Sequence, residues 1–324
     1  MQNKILFLVL ILQGFFLLFP TTVKAEGVKA EGLISDHTNI NDSDSHHLLQ
    51  VSALLEVMAE GLLNSEQQDE VSLATIELAG HKDLTERISL DILFSCSAES
   101  DSLEFDTLVL NYQHEQQPEW AFSIGQDYLP FGAFSTHQLD DTLSLEVAER
   151  RDLFTAVTHQ KNGFISQLYV HKLEQNSATS FGAGIAYQTD FDQSGSYIIG
   201  VDYIDSLYDR RGLSLQGQVN WQEFAMIVER LLLEHDQGNH QSLKNHTDQI
   251  ELVYDAGTLL LSVSYQENHA HANIDQLALE GFELPQKKTS FTISSDLNSF
   301  THLGLQLAQA ESEESASLLL ALSM

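Results

Sequence analysis

From Arg87 to Ser97 the chain reads Arg-Ile-Ser-Leu-Asp-Ile-Leu-Phe-Ser-Cys-Ser. In an extended strand Ile88, Leu90, Ile92, Phe94 and Cys96 share one face. Arg87, Ser89, Asp91, Ser95 and Ser97 share the other, and Leu93 is the exception. Side chains alternate with period 2, so one face of this strand prefers hydrocarbon and the other water. The same alternation recurs to the end of the chain, at Tyr197, Ile199, Val201 and Tyr203 and again at Leu259, Leu261, Val263 and Tyr265. It predicts an all-β protein, a transmembrane antiparallel β-barrel with a wet interior.

Strand candidates run over 48–62, 70–80, 84–97, 102–114, 118–128, 152–161, 163–174 and 179–190. They continue over 195–206, 211–221, 222–234, 247–256, 257–268, 273–284, 287–296, 299–310 and 315–323. The links carry turn residues, as in Lys161-Asn162-Gly163, Asp192-Gln193-Ser194-Gly195 and Asp255-Ala256-Gly257. These candidates make seventeen, whereas a closed bacterial barrel takes an even number. One of them between 273 and 323 is the expected surplus. Residues 48 to 324, at ~10 residues per strand plus turns, make about sixteen strands. A soluble β-sandwich also alternates; a β-helix is a further alternative. The length and the regular hairpin spacing favour the barrel.

Parity adds a second expectation. With a periplasmic amino end, connections after odd-numbered strands face outward, where such barrels carry their long loops. Leu129 to Arg151 follows the fifth candidate and His235 to His246 the eleventh.

Ahead of the barrel, Lys4, the apolar run Ile5 to Phe19 and the small-residue site Val23-Lys24-Ala25 read as a cleaved signal peptide over 1–25. The run is shorter than the ~20 residues of a spanning helix. Residues 26–47 form a polar lead in which Val23 to Gly27 recurs as Val28 to Gly32. The domains expected are therefore signal peptide 1–25, flexible lead 26–47 and barrel 48–324. Cys96 is the single cysteine, so no internal disulfide forms. With 15 Lys+Arg against 47 Asp+Glu the net charge is -32. That excludes a basic nucleic-acid footprint. With outer-membrane lipid and lipopolysaccharide as the expected surroundings, an acidic surface would meet them through bridging divalent cations; otherwise the charge lies on solvated loops and lumen walls.

Ser72 to Leu78, and more specifically Gly125-Gln126-Asp127-Tyr128-Leu129-Pro130-Phe131-Gly132-Ala133-Phe134, resemble the LbtU family of siderophore porins. The likeness continues through Asp141 to Arg150 and around Asn162-Gly163-Phe164. It covers about residues 50 to 175. It implies an outer-membrane barrel of a Gram-negative bacterium that passes a small solute, a ferric siderophore, without a plug domain. The resemblance also implies that the loop after the fifth strand folds inward and narrows the pore. Pro130 and Gly132 would bend it, and Phe131 and Phe134 would pin it to the wall. Asp140, Asp141, Glu146, Glu149, Arg150 and Arg151 are the candidates for setting a field across the opening. Arg150 and Arg151 are the candidates for contacting an anionic solute.

Glu56, Glu60, Glu77, Arg87 and Asp91 are read as inward-facing charges that hydrate the lumen and pair across strands. The histidines at 46–47, at 235, 240 and 246, and at 269 and 271 are read as polar loop residues. A transition metal held by them with Asp236 is the minor alternative, and no metal or cofactor is assigned. No nucleophile-elbow motif, zinc-protease helix or P-loop occurs, so a non-enzymatic protein is expected. Two alternatives remain beside siderophore uptake: a general or cation-preferring porin, which the acid excess favours, and an outer-membrane hydrolase. A homo-oligomer, trimer against monomer, is left open.

Overall fold

The computed structural model describes residues 49–62, 70–97, 103–133, 135–139, 141–172, 179–191, 195–208, 210–236, 242–270, 285–311 and 313–324. Its strands are β1 (Gln50–Leu62), β2 (Glu70–Thr85), β3 (Ile88–Ser97), β4 (Glu104–Gln113) and β5 (Trp120–Tyr128). After a short helix, α1 (Leu143–Ala148), come β6 (Arg151–Lys161), β7 (Phe164–Lys172), β8 (Thr179–Phe191), β9 (Gly195–Leu207), β10 (Arg210–Trp221) and β11 (Phe224–Asp236). The series ends with β12 (Ser242–Asp255), β13 (Leu260–Ala270), β14 (Lys287–Asn298), β15 (Thr301–Ala310) and β16 (Glu313–Ser323). Each strand pairs antiparallel with its sequence neighbours. β16 returns to β1, from Leu54 opposite Ser323 to Leu62 opposite Ser315, and the sixteen strands close a barrel. Closure leaves no edge strand, so the backbone can satisfy its own hydrogen bonds inside a membrane.

The alternation sorts side chains between the two faces. Leu153, Leu168 and Leu252 point out and are more than half exposed, while Asp152, Tyr169 and Glu251 next to them point in and are buried. In β3 the apolar set faces out: Leu90 lies opposite Leu110, Ile92 opposite Leu108 and Phe94 opposite Phe105. Those three partners are exposed hydrophobes on the outer wall. Phe164, Trp221, Phe224, Tyr254 and Phe300 are exposed beside the short turns, where an aromatic girdle sits.

The long connections fall on one parity, although 208–209 and 311–312, which also follow odd-numbered strands, are only two residues long. Connections after even-numbered strands are short, from 86–87 between β2 and β3 to 299–300 between β14 and β15. The long ones, 129–150 and 271–286, follow β5 and β13. At Asn162-Gly163 both residues have positive φ, 53° and 81°, the two-residue hairpin geometry that the sequence implied.

Three details differ from the alternation pattern. The surplus candidate 273–284 lies outside the described residues, and β13 pairs directly with β14, so the ladder closes without it. β2 runs on to Thr85, because His81 and Asp83 pair with Asp91 and Ser89 instead of turning. Arg87 consequently sits in the β2–β3 turn, 2.5 Å from Glu115 of the next turn, and not on the lumen wall.

Candidate constriction site

The loop between β5 and β6 closes at its neck, where Leu129 N–H donates to the Arg150 carbonyl at 2.8 Å. From there it enters the barrel. Gly132 takes φ 78°, a left-handed value that suits glycine. Phe131 is 1% exposed and joins Leu129, Val147 and Ala148 of the loop to Phe154, Tyr169, Ile204, Leu207 and Leu231 of the wall. An apolar core thus forms inside a polar lumen, and it anchors the loop's first and last segments.

Hydrogen bonds hold the middle. The Gly132 backbone donates to Asp202. Ala133 N–H donates to Glu229 at 3.4 Å. The fully buried Glu251 carboxylate accepts from Thr136 Oγ1 at 2.8 Å, His137 N–H at 3.0 Å and Gln138 Nε2 at 3.3 Å. Leu139 N–H donates to Gln306 and Leu143 N–H to Gln266, both at 2.7 Å. Lys288 Nζ donates to the Asp141 carbonyl at 3.1 Å. These partners lie on β9 and on β11 to β15. The loop is strapped across half the inner wall, and the inner faces of β1 to β5 remain to line the passage.

Thr142 caps α1 by accepting from Leu145 N–H at 3.2 Å. The helix then delivers Glu149, Arg150 and Arg151 to the rim. Arg150 folds back: its guanidinium lies 2.7 Å from Asp152 and 4.9 Å over the Tyr208 ring, and its side chain is 10% exposed. Asp152 also meets His171 Nδ1 at 2.9 Å. Arg151 is bound to Asp106, lies 3.6 Å from Glu104, and stacks 5.1 Å over Tyr128. Both arginines are therefore committed to carboxylates.

Asp141, Glu146 and Glu149 are exposed. Although Glu149 reaches lumen water, the protein closing round its carboxyl, and next the nearby Asp141, push its pKa up to about 7 against the pull of Arg151. Asp106 adds in the same upward direction. Asp141, Glu149, Asp106 and Arg151 thus form one electrostatic group. The adjoining wall of β1, β2, β3 and β5 brings Glu56, Glu77, Asp91 and Asp127 inward by strand alternation. Asp91 is held by His81 Nδ1 at 2.5 Å and by Asn111 Nδ2 at 2.6 Å.

Of the sequence candidates, Pro130, Phe131 and Gly132 shape the loop's entry. Asp141, Glu149 and Arg151 meet at the rim, Glu146 stands on the exposed side of α1, and Arg150 braces the neck. Phe134 and Asp140 lie outside the described residues, as do His46, His47, His240 and His271. Sequence reasoning missed Asp202, Glu229, Glu251, Gln266 and Gln306 as loop anchors. Glu251 does alternate with the outward Ile250 and Leu252, which marks it as inward without naming what it holds.

No protein-family model and no curated protein matches the chain. Solved structures do. Salmonella typhi OmpF in complex with daunomycin aligns with a TM-score of 0.66 at 8% identity, covering 87% of this chain and 99% of that one. Pseudomonas putida OprB at high pH aligns with 0.66 at 10% identity, covering 87% and 95%. An anion-selective porin from Comamonas acidovorans aligns with 0.64 at 10% identity, covering 85% and 99%. The chain therefore has the sixteen-stranded fold of outer-membrane porins.

Proposed function

We propose that the protein is an outer-membrane diffusion porin whose passage prefers cations. The observation that carries this reading is the charge balance at the rim. Asp141 and Glu149 are exposed there, the adjoining wall of β1 to β5 adds Glu56, Glu77, Asp91 and Asp127, and the two rim arginines are already paired with Asp106 and Asp152. Rings of charged side chains select ions in this way, because a low-dielectric wall focuses their field on the opening. An inward-strapped loop narrows the lumen and brings permeating solutes within reach of that field.

The siderophore reading rests on the LbtU-like run Gly125 to Phe134, which here forms the end of β5 and the loop's entry. A ferric siderophore of positive or zero charge suits the acidic passage, and an anionic one is disfavoured by it. The hydrolase alternative has several His–Asp pairs to draw on: Asp152 with His171 at 2.9 Å is at most 2% exposed and closed to a substrate, while His81 with Asp91 at 2.5 Å and His302 with Asp296 at 2.9 Å are part-exposed.

Swelling of proteoliposomes separates these readings. Lysine should enter faster than glutamate, a solute of similar size and opposite charge. Equal rates, or faster glutamate, would end the cation reading while leaving a neutral pore open.

A further inference from the structure

On the outer wall, at the end of β12 and β13 away from their short turn, two histidines and an aspartate meet. Outward residues in these strands are Ile250, Leu252 and Tyr254 in β12, and Val263 and Tyr265 in β13. Continuing the alternation, Asp248 and His246 stand above Ile250, and Glu267 and His269 above Tyr265. Among the described outward residues of these two strands, the apolar series stops here and gives way to charged and imidazole side chains.

His246 and His269 are direct cross-strand partners, and their rings stack with centroids 4.3 Å apart at 28°. His246 Nε2 lies 4.0 Å from Asp248 Oδ2. One ligand atom from each of His246, Asp248 and His269 falls within a 4.8 Å set. The carboxylate is oriented from behind, since Arg230 donates to it through Nε at 2.5 Å and Nη2 at 2.8 Å. Next to it His269 Nε2 faces Glu267 at 3.4 Å, and Glu267 is held by Lys287 at 3.3 Å and by the Tyr265 hydroxyl at 2.9 Å.

We infer that His246, Asp248 and His269 form a binding site for a divalent transition metal of the zinc class on the external wall of the barrel. The chemistry selects the metal. Two imidazoles and one carboxylate suit Zn²⁺, Ni²⁺ or Cu²⁺, whereas Ca²⁺ and Mg²⁺ require an oxygen shell. In a tetrahedral Zn site with bonds of about 2.0–2.2 Å the ligand atoms stand about 3.4 Å apart, so the present 4.0–4.8 Å closes by side-chain rotation of roughly 1 Å. The ladder fixes the backbones of both histidines, so the metal need order only three side chains. Hydrogen-bonded support behind a ligand, which Arg230 supplies to Asp248, is the usual companion of a metal ligand. Bound metal would staple β12 to β13 at their ends away from the short turn. The site is independent of the lumen and of the diffusion reading.

The test uses the untagged full chain, folded in detergent, titrated calorimetrically with Zn²⁺ alone and separately with Mg²⁺ and Ca²⁺. One saturable Zn²⁺ site is expected, with no competition from Mg²⁺ or Ca²⁺. His246→Ala and His269→Ala should each weaken it by more than the roughly tenfold that loss of a supporting partner costs. Barrel folding and channel conductance should stay unchanged. A variant with His37, His46 and His47 changed to alanine should keep the site. Undiminished affinity in the His246→Ala/His269→Ala double variant, or no saturable binding, overturns the proposal. If either histidine variant fails to fold, X-ray absorption of the wild-type zinc complex decides. Two imidazole nitrogens with oxygen support the site, and an all-oxygen shell refutes it.

Discussion

Phe131 lies so close over Gly212 that a β-carbon on Gly212 would stand 2.6 Å from the ring's Cζ. It would also stand 2.7 Å from Ile204 Cγ2. The bare backbone of β10 is what admits the ring that pins the loop. Gly212→Ala should push Phe131 out of its seat at a cost of about 1–3 kcal/mol, the range for overpacking. The expected result is a lower Tm and a larger, noisier single-channel conductance than wild type.

Glu251 holds the loop's middle through three donors. Glu251→Ala removes the carboxylate that accepts from the part-buried Thr136, His137 and Gln138, of which Gln138 keeps its bond to Ser262 at 2.6 Å, a loss of about 0.5–1.5 kcal/mol per hydrogen bond. The strap should lift, and proteoliposomes should then admit sugars that the wild-type pore excludes. An unchanged size cutoff would mean that the loop is held by its apolar ends alone.

Glu149 carries its charge above about pH 7 and loses it below, because its carboxyl is pushed up to about 7. Cation preference should therefore be greatest above pH 7 and fall as the pH is lowered toward 6. Glu149→Gln should flatten that step and start from the lower preference. The reversal potential recorded at pH 8 and pH 6 checks both.

The arginines should behave differently from each other. Arg151→Ala frees Asp106 and Glu104 and should raise cation preference. Arg150→Ala should leave selectivity alone and lower stability by about 3–5 kcal/mol, since it strips the guanidinium from the buried Asp152 carboxylate. Thermal unfolding and bilayer recordings on the two single variants separate the roles.

The barrel was legible because its code is local. Each strand states its own inside and outside, as Ile88 to Cys96 does, and parity alone put Leu129 to Arg151 on the end that carries the long loops. His235 to His246, expected as a second long loop, is instead largely strand: Asp236 pairs opposite Ser242 and Leu232 opposite His246, because the polar residues there stay in the ladder. Local signals failed where a polar stretch stayed in register. His81-Lys82-Asp83 reads as a turn, yet His81 pairs opposite Asp91 and the strand continues. In the candidate site, Pro130, Gly132 and Phe131 announced a bent, pinned loop. Glu251 did not announce its role, because its partners lie 113 to 115 residues away and meet it only once the barrel closes. The pairing of the two arginines was not legible either, Arg151 because Asp106 lies 45 residues upstream and Arg150 because nothing in the chain shows that its side chain folds back onto Asp152. Their charge is visible in the chain, and the carboxylates that absorb it come from β4 and from the buried face of β6.

The most direct test of the acidic passage is the reversal potential of the wild-type channel across a tenfold KCl gradient at pH 8. The charge arrangement at Asp141, Glu149 and the adjoining wall predicts a shift toward the potassium equilibrium potential. A value at zero, or one toward the chloride equilibrium potential, would contradict it.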